Sequence, residues 1–387
     1  MRTASLLLLL TVCLLVALSL TVQSSAMMLE AKGDSMLRGQ GVAVIVGLVA
    51  MAFFAFADLQ GSHWQWWPRW ISWESLAWVS YVVAIVLLVA TLSPLGTNRN
   101  NAQRWLFGSQ PSELGKVAVI LMCAWFGSRY QSKMRNPIIG LGGSLLIVAP
   151  IAALVFVEPD RGTAFLLGSI ALLMALVAGV RAWHLGVAGL LACSVFVFIV
   201  SKQTLVRTRL DAFLHPELHK GGASDQAMRS LAALHAGGID GVGLGLGSVK
   251  FRIPEQHTDF ILAVVGEELG LWFTLAIIAA FMVIMYCGFS IASKASSRFG
   301  QLTASGITIL IAVQAMINIA VVTNSMPNKG MPLPFLSRGG SSIAIMLSLV
   351  GILLNIAREV GGSKTDAAAE PREDLFSENE LNAVPAE

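Results

Sequence analysis

The sequence predicts an all-α polytopic integral membrane protein, on the strength of its composition and of how its apolar residues are distributed. Hydrophobic residues make up 55% of the 387-residue chain and charged residues only 13%, which is far too apolar for a soluble domain of this length. The apolar residues form runs close to the roughly 20 residues that a helix needs to cross a bilayer. Because lipid offers backbone groups no hydrogen-bond partners, each run is expected to satisfy its own backbone as a helix.

Ten runs qualify, so the sequence predicts ten transmembrane helices with a long extracytoplasmic loop, about 201–258, between helices 7 and 8. An even number of spans puts both termini on one side, and the Lys and Arg of the short loops favour the cytoplasm. Residues 1–360 form the predicted membrane domain. The predicted spans are 5–22, 40–57, 74–92, 115–131, 137–156, 164–180, 183–200, 259–289, 303–324 and 341–357.

The two ends of the chain allow further interpretation. Arg2, a leucine-rich core and the small residues at 24–26 also fit a cleaved signal peptide, although the length of the run favours an uncleaved first helix. Segment 361–387 carries seven acidic residues against two basic ones. An alanine-rich acidic segment cannot bury enough apolar surface to order itself, so it is predicted to be a disordered cytoplasmic tail.

Several residues that often mark metal or nucleotide sites have a plainer interpretation here. His215 and His219 have helical i, i+4 spacing, but Pro216 lies between them and no third ligand is evident. The four cysteines lie inside apolar spans without CxxC spacing, which argues against a disulfide framework. The glycines of 241–248 favour a backbone bend over a dinucleotide site. The five tryptophans of 63–73 are typical of an interfacial belt.

Three acids stand where the eighth span is predicted to begin, in the stretch PEQHTDFILAVVGEELG. An ionised side chain at mid-bilayer costs about 2.5–3.5 kcal/mol, so acids in a span should line a cavity or pair. On a continuous helix Asp259 shares a face with Gly266 and Gly270, whereas Glu267 and Glu268 point elsewhere. The two glycines would allow a helix or a flat ligand chain to approach closely. One glutamate is expected to pair with a basic residue of a neighbouring span.

Asp259 itself has two interpretations. HTD before an apolar run fits a helix N-terminal cap, and an acid in the first turn is favoured by the helix dipole. The same carboxylate at the outer mouth of a span fits a catalytic group. The residues alone do not decide between capping and catalysis.

Three more motifs place charge on the same predicted outer face. They are NAQRWLFGSQPSELGK, VEPDRGT and NSMPNKGMPLPFLSRGGSS. A cavity that holds Lys, Arg and carboxylates suits an anionic lipid-linked substrate, whose phosphates need cations and whose sugar needs hydrogen-bond partners. The charged residues of these motifs are Arg104, Glu113, Lys116, Glu158, Asp160, Arg161, Lys329 and Arg338.

In these motifs the chain resembles the SEDS family of peptidoglycan polymerases, the FtsW and RodA type. The resemblance runs from the first span to about Arg358. KG before the LP step resembles the FtsW branch more than the RodA branch. The resemblance to the family as a whole is carried by six motifs in the family's order: RW, QPSEL.K, PD.GT, SLAAL..GG..GVGLG, PE.HTDF...V.GEELG and P.KG..LPF.S.GGSS.

The resemblance implies an activity, partners and site residues. The family's reaction transfers the glycan held as undecaprenyl pyrophosphate onto lipid II, with inversion and a β-1,4 linkage. Its members work in the bacterial cytoplasmic (inner) membrane beside a class B penicillin-binding protein and other divisome or elongasome proteins. No nucleic acid is expected among the partners. Asp259 would be the essential carboxylate, as a base or a ligand of a divalent cation such as Mg²⁺ or Mn²⁺. The candidate substrate-binding residues are Arg104, Trp105, Glu113, Lys116, Asp160, His257, Lys329, Ser337, Arg338, Gly339 and Gly340.

Two positions depart from the family pattern, which usually has PDLGT and SYGGSS. Arg161 and Arg338 add two cations to the same face, where they either strengthen anion binding or pair with Asp160 and Glu158. Two other functions stay open: a flippase for lipid II, and a non-catalytic scaffold that activates the penicillin-binding protein.

Overall fold

The computed structural model is almost entirely helical. It describes residues 2–27, 33–57, 72–99, 102–106, 108–202, 211, 213–214, 223–253, 256–327 and 330–369. The helices are α1 (Arg2–Ala26), α2 (Gly33–Phe56), α3 (Trp73–Leu92), α4 (Pro111–Arg129), α5 (Gly143–Val157), α6 (Arg161–Ala178), α7 (Ala182–Lys202), α8 (Ala223–Gly237), α9 (Ile261–Lys294), α10 (Arg298–Val322) and α11 (Gly340–Ala369).

The chain is a multi-pass membrane protein. In the part of the chain that the structure describes, eight helices are long and apolar enough to cross a membrane: α1, α2, α3, α5 with the π-turn before it, α6, α9, α10 and α11 over Gly340–Val360. The other two predicted spans fall on α4, which carries Glu113, Lys116 and Arg129, and on α7, of which Ala182–Leu191 counts as a shorter apolar helix. The count of ten stays a prediction.

The helices pack closely where small residues face them. Met51 of α2 lies against the backbone of Gly351 in α11, and Gly47 of α2 faces Ala344 and Leu347. Without hydrophobic attraction between helices in lipid, such close backbone approach is what holds neighbouring spans together. At the centre stands α10, most of whose residues are buried.

The predicted eighth span is two helices joined by a corner, which is a correction. Gly270 has a φ of 79°, outside the helical region, and divides α9 into a short piece, 261–269, and a long piece, 271–294. A Cβ on Gly266 would lie 3.5 Å from Oγ1 of Thr274, although residues eight apart in a straight helix are about 12 Å apart along its axis. The chain therefore turns sharply at Gly270, and the expected shared face of Asp259 and the two glycines does not exist.

The predicted long loop fills this corner. Helix α8 and the turn after it pack on the glycines, with Leu234 against Gly266, and the backbones of Ile239 and Gly241 against Gly270. Backbone N–H groups of the same turn donate to the carbonyls that end the short helix piece. The glycines do permit close approach, as predicted, but what approaches is the loop rather than a ligand chain or another span.

Both glutamates of the corner are held by the same short turn. The carboxylate of Glu267 accepts backbone hydrogen bonds from Ser248, Val249 and Lys250 at 2.7–2.8 Å. The carboxylate of Glu268 pairs with the ammonium of Lys250, and the hydroxyl of Ser25 donates to the same oxygen. The expectation of a basic partner from a neighbouring span is therefore wrong, because the partner, Lys250, belongs to the loop.

Most of the predicted tail lies beyond the description. Helix α11 runs on to Ala369, nine residues into the segment 361–387. Residues 370–387 lie outside the described residues, so the prediction of a disordered tail stays a prediction.

A two-stranded hairpin, β1 (Thr97–Arg99) with β2 (Ala102–Trp105), precedes α4.

Candidate active site

Asp259 lies in the turn that precedes α9. Phe260 takes the N-cap position, so the capping interpretation of Asp259 is wrong. The side-chain amide of Asn318, in α10, donates to the backbone carbonyls of Asp259 and Met331 at 2.8 and 2.7 Å. A Cβ on Gly330 would lie 2.5 Å from Oδ2 of Asp259, which is closer than two non-bonded atoms approach each other. The Asp259 carboxylate therefore stands directly against the backbone of the segment before α11.

That segment is tied to the Asp259 turn by a second set of hydrogen bonds. The hydroxyl of Ser337 donates to the carbonyl of Thr258 at 2.5 Å and accepts from the backbone N–H of Leu333 at 2.7 Å. The backbone N–H of Arg338 donates to the carbonyl of His257 at 2.9 Å. Hydrogen bonds thus join the turn before α9 to the segment before α11. They bring together four residues predicted from sequence: His257, Asp259, Ser337 and Arg338.

Gly339 and Gly340 lie where α11 begins. The backbone N–H of Gly339 donates to Oε1 of Gln40, in α2, at 3.3 Å. Gln40 is 2% exposed, and its Nε2 has no hydrogen-bond partner among the described residues. A buried amide in a span was a usable signal in the sequence, and it was missed.

The hairpin before α4 brings Arg104 and Trp105 to the same end of the bundle. The guanidinium of Arg104 donates to the backbone carbonyls of Glu158 and Pro159, at 3.1 and 2.5 Å. Trp105 is half-buried, and the hydroxyl of Thr97 donates to its carbonyl. Arg104 therefore joins the hairpin to the turn between α5 and α6.

Glu113 and Lys116 form a buried pair one turn inside α4. The ammonium of Lys116 lies 2.8 Å from the Glu113 carboxylate and donates to Oε1 of Gln314 at 3.2 Å. The amide of Gln314 in turn donates to the carbonyl of Pro332 at 2.8 Å. Lys116 thus already has a counterion, and the chain of contacts ends on the backbone of the segment that faces Asp259.

Asp160 caps α6 and links it to two other helices. Its carboxylate accepts from the backbone N–H and the hydroxyl of Thr163, at 3.2 and 2.9 Å, and from Nε2 of Gln110 at 3.2 Å. The backbone N–H of Gln110, the N-cap residue of α4, donates to the hydroxyl of Ser341 at 3.4 Å. The N-termini of α4, α6 and α11 therefore meet at one point.

Glu158 is a buried acid beside this point. It is 1% exposed, and among the described residues no donor makes a well-aligned hydrogen bond with either carboxylate oxygen. Burial raises the pKa of the Glu158 carboxyl to about 7; the Thr91 hydroxyl lowers it, nearby Asp160 raises it, and Arg104 lowers it. The acid therefore carries only a partial charge near neutral pH.

Arg161 and Arg338 do not form the salt bridges offered as one interpretation. Among the described residues, no carboxylate lies within 4.0 Å of either guanidinium. The guanidinium carbon of Arg161 lies 6.0 Å from the centre of the Phe156 ring. The sequence could not decide this, because Asp160 and Glu158 are close enough along the chain to make either outcome reasonable.

The amides that organise the site were not found from sequence. Gln314 and Asn318 lie one turn apart in α10, and each holds a backbone carbonyl of the segment facing Asp259. Gln40 and Gln110 hold the starts of α11 and α6. Polar side chains inside apolar runs were the available signal, since such groups seldom face lipid.

Some predicted features cannot be placed. Lys329, His215, His219 and the tryptophans between 63 and 71 lie outside the described residues. Within the described part, no group of three or more His, Cys, Asp or Glu residues is arranged to hold a metal ion. The expected divalent cation and the role of Lys329 therefore stay predictions.

Comparisons of the sequence with known proteins point to one family. The family model FTSW_RODA_SPOVE, described as cell cycle protein, matches residues 1–361. A probable peptidoglycan glycosyltransferase FtsW of Trichlorobacter lovleyi is 39% identical over 268 residues, 68% of this chain and 70% of that protein. Stage V sporulation protein E of Bacillus subtilis is 38% identical over 269 residues, 68% of this chain and 74% of that protein.

Solved structures share the fold. A chain from "Structural coordination of polymerization and crosslinking by a peptidoglycan synthase complex" has a TM-score of 0.73 at 23% identity, covering 91% of this chain and 97% of that one. The rod shape determining protein RodA of Thermus thermophilus has a TM-score of 0.64 at 22% identity, covering 91% and 96%. From its sequence and its fold, the chain belongs to the FtsW, RodA and SpoVE family of cell cycle proteins.

Proposed function

We propose that this protein is a peptidoglycan glycosyltransferase that polymerises lipid II. The observation that carries the proposal is the Asp259 carboxylate, which stands against Gly330 at the end of the bundle where the charged motifs meet. Relatives from several bacteria carry the name probable peptidoglycan glycosyltransferase FtsW, which supports the same activity. The FtsW-like branch is the one that these relatives favour.

We infer that this end of the bundle is extracytoplasmic. If α4 and α7 also span, ten spans result, and α4, α6 and α11 then all begin on the side opposite the N-terminus. Both termini would be cytoplasmic, and the membrane would be the bacterial inner membrane. The polar cluster would then face the side on which cell-wall precursors are polymerised.

In the proposed reaction Asp259 is the general base. It accepts the proton of the 4-hydroxyl of the lipid II GlcNAc as that oxygen attacks the anomeric carbon of the donor strand. The bond from that carbon to the diphosphate breaks, and undecaprenyl pyrophosphate leaves with the electron pair. Asp259 then returns its proton to water, and inversion at the carbon gives the β-1,4 linkage. A positioned base contributes about 10²–10⁴-fold to such a step.

The surrounding residues position the base. Asn318 fixes the backbone of Asp259 against that of Met331, and Ser337 fixes the adjoining Thr258. In this proposal Lys116 with Glu113 acts on the same backbone through Gln314. Placement matters because a shift of about 1 Å in a reacting group can cost about 100-fold in rate.

A divalent cation fits this site only if the substrate supplies ligands. Mg²⁺ is usually held by one or two carboxylates together with substrate phosphates, and Asp259 could supply one carboxylate. Bound there, the ion would stabilise charge on the departing diphosphate. The proposed partner is a class B penicillin-binding protein, supported by the likeness of the fold to a chain from a peptidoglycan synthase complex.

The test is polymerisation of labelled lipid II by the purified protein, with and without a class B penicillin-binding protein. Asp259→Ala should abolish glycan strands in both cases, while Asp225→Asn, at a partly exposed position on α8, should leave them unchanged. If Asp259→Ala still polymerised, Asp259 would not be the base. If the wild type never polymerised, a flippase assay and a test of partner activation would assess the two alternative functions.

A further inference from the structure

One face of α1 carries two polar side chains into the helix bundle. Ser19 and Gln23 lie four residues apart on this face, and both are 0% exposed. Polar side chains inside a membrane span are rare, and they usually have a partner within the protein or a function. The reaction proposed above does not involve α1, so these two side chains are unassigned.

Both side chains hold the same backbone carbonyl, that of Leu336. The hydroxyl of Ser19 and Nε2 of Gln23 each donate to this carbonyl at 2.7 Å. Nε2 of Gln23 also donates to Oγ of Ser19 at 2.7 Å, so the two side chains act as one unit. Removing both donors would leave the buried carbonyl unsatisfied, which is costly enough to move the backbone that carries it.

The held carbonyl follows a strained residue. Phe335 has a φ of 65°, which is left-handed backbone that a bulky side chain seldom adopts. Such a conformation persists only where the surrounding structure fixes it. The two donors of α1 bind the carbonyl of the next residue, Leu336, and so hold the strained turn from outside the segment.

The same segment sets the position of the proposed base. Ser337, the residue after Leu336, donates to the carbonyl of Thr258, directly before Asp259. At the other end of the segment, Gly330 lies against the Asp259 carboxylate. A shift of the Leu336 carbonyl would therefore change how the segment contacts the base.

The end of α1 also holds the stretch of chain that leads to Asp259. Nε2 of Gln256 donates to the carbonyl of Ala26 at 3.0 Å. The ammonium of Lys250 donates to the hydroxyl of Ser25 at 2.8 Å. One helix thus anchors both stretches of chain that meet at the Asp259 carboxylate.

We propose that Ser19 and Gln23 are positioning residues, which hold segment 330–338 in the place that the reaction at Asp259 requires. The inference deepens the proposed function and rests on it, because it names residues that act on the same site from a helix outside it. Neither side chain touches substrate in this arrangement. Their loss should therefore slow the chemical step and leave substrate binding unchanged.

The first experiment measures kcat and KM for lipid II, with the full-length protein in nanodiscs and a class B penicillin-binding protein present. Ser19→Ala with Gln23→Met removes both donors at similar side-chain volume, and should lower kcat by about tenfold or more at unchanged KM. Thr21→Val removes an exposed hydroxyl that bonds within α1, so it is the matched control and should keep both constants. Equal losses in the two proteins, or a raised KM at unchanged kcat, would overturn the proposal.

Single variants cover the case in which the double variant does not fold. Ser19→Ala and Gln23→Met each leave one donor on the Leu336 carbonyl, so both should fold with melting temperatures near that of wild type. Each should lower kcat about fivefold, again at unchanged KM. Wild-type kcat in both folded single variants would contradict the proposal.

Amide hydrogen exchange separates this inference from the proposed function. The N–H groups of Leu333, Leu336 and Ser337 are hydrogen-bonded within the segment. Their exchange should become about tenfold faster in the variants that lack α1 donors and stay unchanged in Thr21→Val. If wild type did not polymerise lipid II, the proposed function would fail, and faster exchange would still support the hold of α1 on the segment. If wild type polymerised but exchange were unchanged in the folded variants, the proposed function would stand and the role of α1 would be overturned.

Discussion

Two regions of this protein treat their charged side chains in opposite ways. At the corner of α9, Glu268 pairs with Lys250, and Glu267 accepts three backbone N–H groups, so each charge is compensated by the protein. Where α4, α6 and α11 begin, Arg161 and Arg338 have no carboxylate partner among the described residues, and Gln40 keeps an orphan donor. The first region compensates its charges within the protein, and the second leaves two cations without a carboxylate among the described residues.

The largest expected effect is on stability at the corner. Lys250→Met leaves Glu268 buried without its cation, which should cost about 3–5 kcal/mol of unfolding free energy. Thermal unfolding in detergent measures the loss. Adding Glu268→Gln to Lys250→Met removes the isolated charge and should restore most of the stability. If the double variant were no more stable than the single one, the ion pair would not be what holds the corner.

The next effect concerns placement of the proposed base. Gly330→Ala puts a methyl group 2.5 Å from Oδ2 of Asp259 and must displace the carboxylate. Polymerisation of lipid II should fall about 100-fold, with little change in melting temperature. Gly168→Ala in α6, where a Cβ meets nothing within 4 Å, is the matched control and should keep full activity. Equal activities of the two variants would contradict the placement.

A smaller effect is expected from the pH dependence of stability. The pKa of Glu158 is about 7 in the folded protein against an ordinary value of 4.5, so the folded state binds more protons between these values. The contribution of Glu158 to the free energy of unfolding should therefore be fully present below pH 4.5, and about 1–3 kcal/mol of it should be lost as pH rises through 7. Melting temperatures from pH 5 to 8 should show this decline in wild type and a flatter profile in Glu158→Gln. Parallel profiles would mean that Glu158 does not titrate in this range.

The smallest predicted effect is at Ser337. Ser337→Ala removes two hydrogen bonds that join the segment before α11 to the Asp259 turn, worth roughly 1–3 kcal/mol together. Activity should fall several-fold, as a positioning role requires. Ser348→Ala, which removes a hydrogen bond within α11, should leave activity unchanged. A larger loss in the control than in Ser337→Ala would remove Ser337 from the site.

Local sequence was sufficient for most helices but not for the corner. Apolar runs predict α1, α2, α10 and α11 because a lipid-facing helix needs only length and hydrophobicity. The run through α9 is equally apolar on both sides of Gly270, so it gives no sign of a break. The break depends on α8 and its turn packing against the glycines, which is a tertiary contact that no local pattern contains.

The charged residues of the candidate site were predicted from sequence, and its amides were not. Asp259, Ser337 and Asp160 stand out because their motifs are polar where the neighbouring residues are apolar. Gln314 and Asn318 lie within an apolar run, and only the folded structure shows that they hold the backbone that faces Asp259. Whether a cation is paired also depends on side-chain direction, which spacing in the sequence does not specify.

The most direct test of the central claim is lipid II consumption by Asp259→Asn, measured beside its melting temperature. The amide has almost the same shape as the carboxylate and removes only its charge. The account predicts a loss of polymerisation of at least 100-fold with a melting temperature close to that of wild type. Polymerisation near the wild-type rate, or inactivity explained by unfolding, would contradict the claim that the Asp259 carboxylate serves the reaction rather than the fold.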